Sequence, residues 1–93
     1  MGLFEQIGQI QEKMKDLQRQ LAQLSITKET GAGLVKATVN GNKQVLSVSI
    51  DDTLLHAKDR AMLQDLIVAA VNAALEEVDQ HTKEAIQKNA INL

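Results

Sequence analysis

Residues 34–50 read LVKATVNGNKQVLSVSI, and their alternation decides the fold class. Val35, Ala37 and Val39 fall on one face of a strand, Lys36 and Thr38 on the other. Leu46, Val48 and Ile50 alternate with Ser47 and Ser49 in the same way. Between the two runs stands Asn40-Gly41-Asn42, residue types that tolerate positive φ and close hairpins. With Gly41-Asn42 as a two-residue turn, Ala37 faces Leu46 and Val35 faces Val48. That register places the apolar residues of both strands on one face. Ile26 to Thr30 reads as a weaker third strand at the edge, entering the bend Gly31-Ala32-Gly33.

On either side of this meander the period changes to that of a helix. Leu3, Ile7, Ile10, Met14, Leu17, Leu21 and Leu24 recur at alternating steps of four and three. They form an a/d seam, with six glutamines on the polar face. Three heptads suit packing along another long helix, either this chain's own second helix or one from a second copy. Downstream, Leu63, Leu66, Ile67, Ala70, Val71, Ala74, Leu75 and Val78 form a broader stripe, continued by Ala85 and Ile86. Asp59 is placed to cap its start, and neither Pro nor Gly interrupts it to Asn89. Ala69, Ala70, Ala73 and Ala74 let another backbone approach closely. The expected architecture is α+β, a single domain over 1–93: helix 1–24, three-stranded antiparallel meander 25–50, long helix 59–89. At about 1.5 Å per residue, the last helix outruns a three-stranded sheet, so its far end projects or meets a second subunit.

Composition narrows the class. The chain has 93 residues, and a chain this short buries only about 60–65% of its unfolded surface. With one Phe and no Trp or Tyr, the core is built from aliphatic side chains, and oligomerisation is the expected source of further stability. There is no Cys, which excludes disulfides and thiolate zinc sites. No apolar run is long enough to span a bilayer and no secretory signal is visible, so the expected location is the cytoplasm. The net charge of −2 is unevenly spread: the first 24 residues balance, 25–50 carry two surplus positives, and 51–93 four surplus negatives.

No constellation supports catalysis. Ser25-Ile26-Thr27-Lys28 fits a Ser-x-x-Lys pattern without its companion motifs. Gly31-Ala32-Gly33 is a bend lacking the helix of a nucleotide fingerprint. Glu77 and His81 stand one helical turn apart with no third metal ligand, His56 is alone in a loop, and Asp51-Asp52 ends a strand. We therefore expect no enzyme, no cofactor and no small-molecule substrate. The cations of the first helix, Lys13, Lys15 and Arg19, admit two readings. One is a solvated face with Glu12 and Asp16 as salt-bridge partners. The other is a phosphate-contacting face. With no aromatic to stack on bases, recognition of single strands is disfavoured.

Several blocks carry a resemblance. Gly31-Ala32-Gly33-Leu34-Val35-Lys36-Ala37-Thr38-Val39-Asn40-Gly41 resembles the central strand and turn of the YbaB/EbfC family of bacterial nucleoid-associated proteins. Val48-Ser49-Ile50-Asp51, Leu54-Leu55 and Asp59 through Leu75 are similar to its next blocks in order, and Gln-Ile-Gln-Glu-Lys-Met (residues 9–14) to its opening helix. Two features depart: no Gly-, Met- and Pro-containing tail follows Leu93, and Asp52 stands where members often have Pro. The resemblance implies a tweezer-like, two-fold homodimer in the nucleoid that binds double-stranded DNA with limited sequence preference. It also implies DNA contacts near the ends of the long helices, which here match Lys13, Lys15, Arg19, Lys83 and Lys88. Apart from the resemblance, Lys28, Lys36 and Lys43 of the sheet are held in reserve as the next cations to consider. From the apolar stripes, the expected dimer contacts are Ile10, Met14, Leu17, Ala70 and Ala74. The alternative, favoured by the net negative charge and the Gln-rich first helix, is a helical protein-interaction module without DNA binding.

Overall fold

A computed structural model describes residues 2–91, with side chains described to residue 88. Helix α1 spans Leu3–Gln23, followed by strands β1 (Ser25–Thr30), β2 (Val35–Asn40) and β3 (Val45–Ile50). Two single 3-10 turns, Asp52–Leu54 and Ala57–Asp59, lead into helix α2 (Arg60–Ile91). The sheet is an antiparallel meander in the order β1-β2-β3.

One helix on one face of two strands makes the core. Val35, Ala37 and Val39 on β2 and Ala70, Ala74 and Val78 on α2 are all at zero exposure. Ala74 and Val78 pack with Ile26 and Val39, and Ala70 packs with Val35, Ala37 and Leu54. The alanines serve close approach, as their spacing suggests, but the element that approaches is the chain's own sheet. Ala70 and Ala74 were expected at a dimer contact. They are consumed inside the protomer, where their small side chains let α2 approach β2 closely.

The β1–β2 bend runs through left-handed backbone at Gly31, Ala32 and Gly33. Gly31 has φ +60°, and a Cβ there would stand 2.9 Å from Leu66 Cδ1. Beside it, the Thr30 hydroxyl donates to the Leu66 carbonyl at 2.7 Å, tying the bend to α2.

The hairpin register differs from the expected one. Ala37 lies opposite Val48, Val35 opposite Ile50, and Val39 opposite Val45. Two insertions cause the slip. The turn closes on Asn40 and Gln44, so its loop holds Gly41, Asn42 and Lys43, the last at φ +62°. A three-residue loop with a left-handed final residue is a common hairpin alternative to the two-residue form. A bulge then leaves Leu46 without an opposite residue. Together these move the pairing by two residues, which preserves faces, whereas a slip of one would have inverted them.

The expected shared apolar face nevertheless goes largely uncovered on β3. Val45, Leu46 and Val48 remain 50%, 54% and 39% exposed, because α2 lies over β1 and β2 and β3 joins its cluster only at Ile50. Helix α1 buries no residue at all, and only Leu21 and Leu24 of its seam are half-buried. The molecule is correspondingly elongated, 66 × 25 × 17 Å. Replacing Ala74 with Leu overpacks the α2–sheet contact; we expect a loss of about 1–3 kcal/mol in unfolding free energy by urea titration, with secondary structure retained.

Candidate nucleic-acid interface

Both long helices carry their cations beyond the core. On α2 the last fully buried residue is Val78, and residues 80–88 are exposed, among them Lys83 and Lys88. On α1 every cation is exposed. The C-terminal half of α1 meets this projecting part of α2. There Leu17, Leu21 and Leu24 face Thr82, Ala85 and Ile86 across an open apolar cleft of about 390 Å³, with His81 at its edge. Only the base of the seam therefore finds α2; Leu3, Ile7, Ile10 and Met14 do not.

The ion pairs separate engaged cations from available ones. Arg19 donates to Asp16 Oδ1 at 3.2 Å, as the solvated-face reading expected. Glu12, Lys15, Asp16 and Arg19 line one shallow polar concavity on α1. Lys13 is two residues, about 200°, from Lys15 and so projects from a different side of the helix. Among the described residues Lys13, Lys15, Lys83 and Lys88 make no ion pair. The sheet's lysines behave differently. Lys28 Nζ lies 3.5 Å from Glu77 Oε2, and Lys43 Nζ lies 2.5 Å from Asp79 Oδ1. Of the three held in reserve, only Lys36 stays unpaired among the described residues, exposed on the face of β2 turned away from α2.

The residues weighed for other chemistry are accounted for locally. Glu77 is shared, since His81 Nε2 lies 3.7 Å from its other oxygen. Among the described residues no three metal-ligating side chains gather. Asp51 accepts hydrogen bonds from the Thr53 hydroxyl at 2.7 Å and the Thr53 N–H at 2.9 Å. These bonds hold its carboxyl below the usual carboxylate range. It caps the first 3-10 turn. Sequence reasoning did not find the pairing of Lys28 and Lys43 with α2, nor the buried Asn40 that organises the turn. The Asn-Gly-Asn turn signal was visible, but its partners lie 20 or more residues away.

This is a small α+β protein of helix–meander–helix build, with its unpaired lysines chiefly on two projecting helices and no assembled catalytic group among the described residues. It belongs to the YbaB/EbfC DNA-binding family, whose model matches residues 1–93. The chain is 44% identical over 88 residues to the nucleoid-associated protein Cphamn1_1179 of Chlorobium phaeobacteroides (strain BS1), covering 95% of this chain and 78% of that one. It is 47% identical over 88 residues to a nucleoid-associated protein of Chlorobium luteolum (strain DSM 273 / BCRC 81028 / 2530), covering 95% of this chain and 79% of that one. Among solved structures, the uncharacterized protein HP0035 from Helicobacter pylori superposes with a TM-score of 0.70 at 22% identity, covering 86% of this chain and 93% of that one. That likeness shows the fold. Among the described residues no helix is long and apolar enough to cross a membrane.

Proposed function

We propose that this chain is a nucleoid-associated protein that binds double-stranded DNA as a homodimer, with limited sequence preference. Family membership carries the reading. The exposed, unpaired Lys13, Lys15, Lys83 and Lys88 give it a physical means, because each cation that neutralises a phosphate releases a counterion. The net charge of −2 does not oppose it. The candidate contacts lie on the projecting helices, and α1 itself carries three acids against three bases. The sole aromatic, Phe4, is exposed, but one ring per chain cannot stack successive bases, which favours duplex over single strands.

Exposed apolar surface supports the homodimer. Ile10, Met14 and Leu17 are 57%, 59% and 55% exposed and remain candidate contacts. The uncovered row on β3, together with that strand's free edge, adds a second apolar surface. Apolar stripes of this extent, with unpaired strand edges, call for a partner. A second copy with the same stripes is the commonest closed solution. The seam alone would equally suit a protein-interaction module; DNA retention decides between the two.

In an electrophoretic mobility shift at low salt, the chain should retard duplexes of unrelated sequence. Contacts from Lys13, Lys15, Lys83 and Lys88 of each chain would make log affinity fall against log salt with a slope of about −7 for a dimer. No shift at tens of micromolar sinks the DNA reading. Lys15→Ala should weaken binding more than Arg19→Ala, since Arg19 already engages Asp16, and neither should move the urea midpoint appreciably. Equal losses would show that the Asp16 bond yields to phosphate. Sedimentation at micromolar concentration should report a dimer whose unfolding midpoint rises with protein concentration, whereas a monomer would refute the paired assembly.

A further inference from the structure

We propose that the turn between β2 and β3, Asn40 to Gln44, is a positioning clamp that sets the two projecting helices relative to each other. It thereby sets the spacing of the cations they carry. The inference rests on the DNA-binding reading only for its functional consequence.

The turn is built to be rigid. Asn40 is 3% exposed and is the one buried polar residue among the described residues. Its Oδ1 accepts from the N–H groups of Asn42 and Gln44, each at 3.0 Å, and its Nδ2 donates to Gln44 Oε1 at 2.8 Å. Backbone bonds from Asn40 to Gln44 (3.0 Å) and from Lys43 to Asn40 (3.1 Å) close the ring. A buried amide with both ends satisfied holds one loop geometry, because any other would leave a polar group unpaired.

From that ring three consecutive residues reach two helices. The Gly41 N–H donates to the Leu21 carbonyl at 2.7 Å, and Asn42 Nδ2 to the Gln18 carbonyl at 3.2 Å. Both acceptors lie in the last two turns of α1, and the Leu21 carbonyl, which the Leu24 N–H also reaches at 3.2 Å, takes the Gly41 N–H as a second donor. Lys43, held at φ +62°, reaches the other way to Asp79 on α2. Glycine is required at 41 because a Cβ would stand 2.6 Å from the Leu21 oxygen and 3.0 Å from its Cα. The clamp matters because α1 has little else. It buries no residue, so no core packing defines its angle to the sheet. The few bonds at its last turn, with the half-buried Leu21 and Leu24, decide where Lys13 and Lys15 stand relative to Lys83 and Lys88.

The chain has no Cys, so paired cysteines introduced at exposed Gln11 on α1 and Asn72 on α2 can be spin-labelled selectively. Labelled chain is diluted into excess unlabelled chain, and the distance distribution is measured by pulsed electron resonance. The unsubstituted turn should give one narrow distance. Gly41→Ala should shift and broaden it, and Asn42→Ala should broaden it; Asn42→Ala also decides the matter should Gly41→Ala not fold. Gly8→Ala, where a Cβ meets nothing within 4 Å, should leave it unchanged. On DNA, the turn variants should lose salt slope by about one for each α1 cation withdrawn, at unaltered thermal midpoint for Asn42→Ala. A merely stabilising cap would lower the midpoint and leave distance and slope alone. Unaltered distances in the folded turn variants overturn the clamp, whatever the DNA result. Failure of the parent protein to bind DNA overturns the functional reading and leaves the distance test in force.

Discussion

Everything in this molecule follows from how narrowly α2 is seated. Ala70, Ala74 and Val78 meet Val35, Ala37 and Val39 with no solvent between them, and that contact spans two strands. Small side chains bring helix and sheet close, which concentrates burial on a few aliphatic groups and leaves no room for the aromatics that usually thicken a small core. The same closeness restricts coverage. A helix of 32 residues, about 48 Å, crosses a narrow sheet and leaves it, so its last turns stand free. Most of the third strand and most of the first helix fall outside its reach. An elongated protomer with exposed apolar rows is thus the direct product of one tight contact.

The charges follow the same geometry. Where α2 lies on the sheet, Glu77 and Asp79 neutralise Lys28 and Lys43, pairs about half exposed that add little stability but remove two cations from the surface. Where α1 and α2 leave the sheet, Lys13, Lys15, Lys83 and Lys88 form no ion pair among the described residues. An acidic total and unpaired cations at the periphery are therefore compatible. What reaches a phosphate is set by which cations the fold leaves unpaired, not by the sum.

Much of this was legible in advance. The period-two runs at 35–39 and 46–50, the seam of α1 and the stripe of α2 gave element order and most boundaries, because periodicity is a local property. The Asn-Gly-Asn signal located the turn but not its length. A left-handed Lys43 and an unpaired Leu46 are compatible with the residues, yet only pairing with β2 selects them. Ala70 and Ala74 illustrate the limit. Their size announced a close approach, and nothing in their spacing distinguished a second helix from the chain's own sheet.

The sequence by itself determined which faces are apolar, the order of helix, meander and helix, and the family, since each depends on neighbours a few positions apart or on blocks in series. Tertiary structure alone decided that α2 covers two strands and not three, that Lys28 and Lys43 are paired while Lys13 and Lys15 are not, and that the β2–β3 turn caps α1. Those outcomes depend on groups such as Lys43 and Asp79, or Gly41 and Leu21, that are distant in the chain. Their meeting is fixed by the seating of one helix on a sheet, a contact that no local pattern encodes.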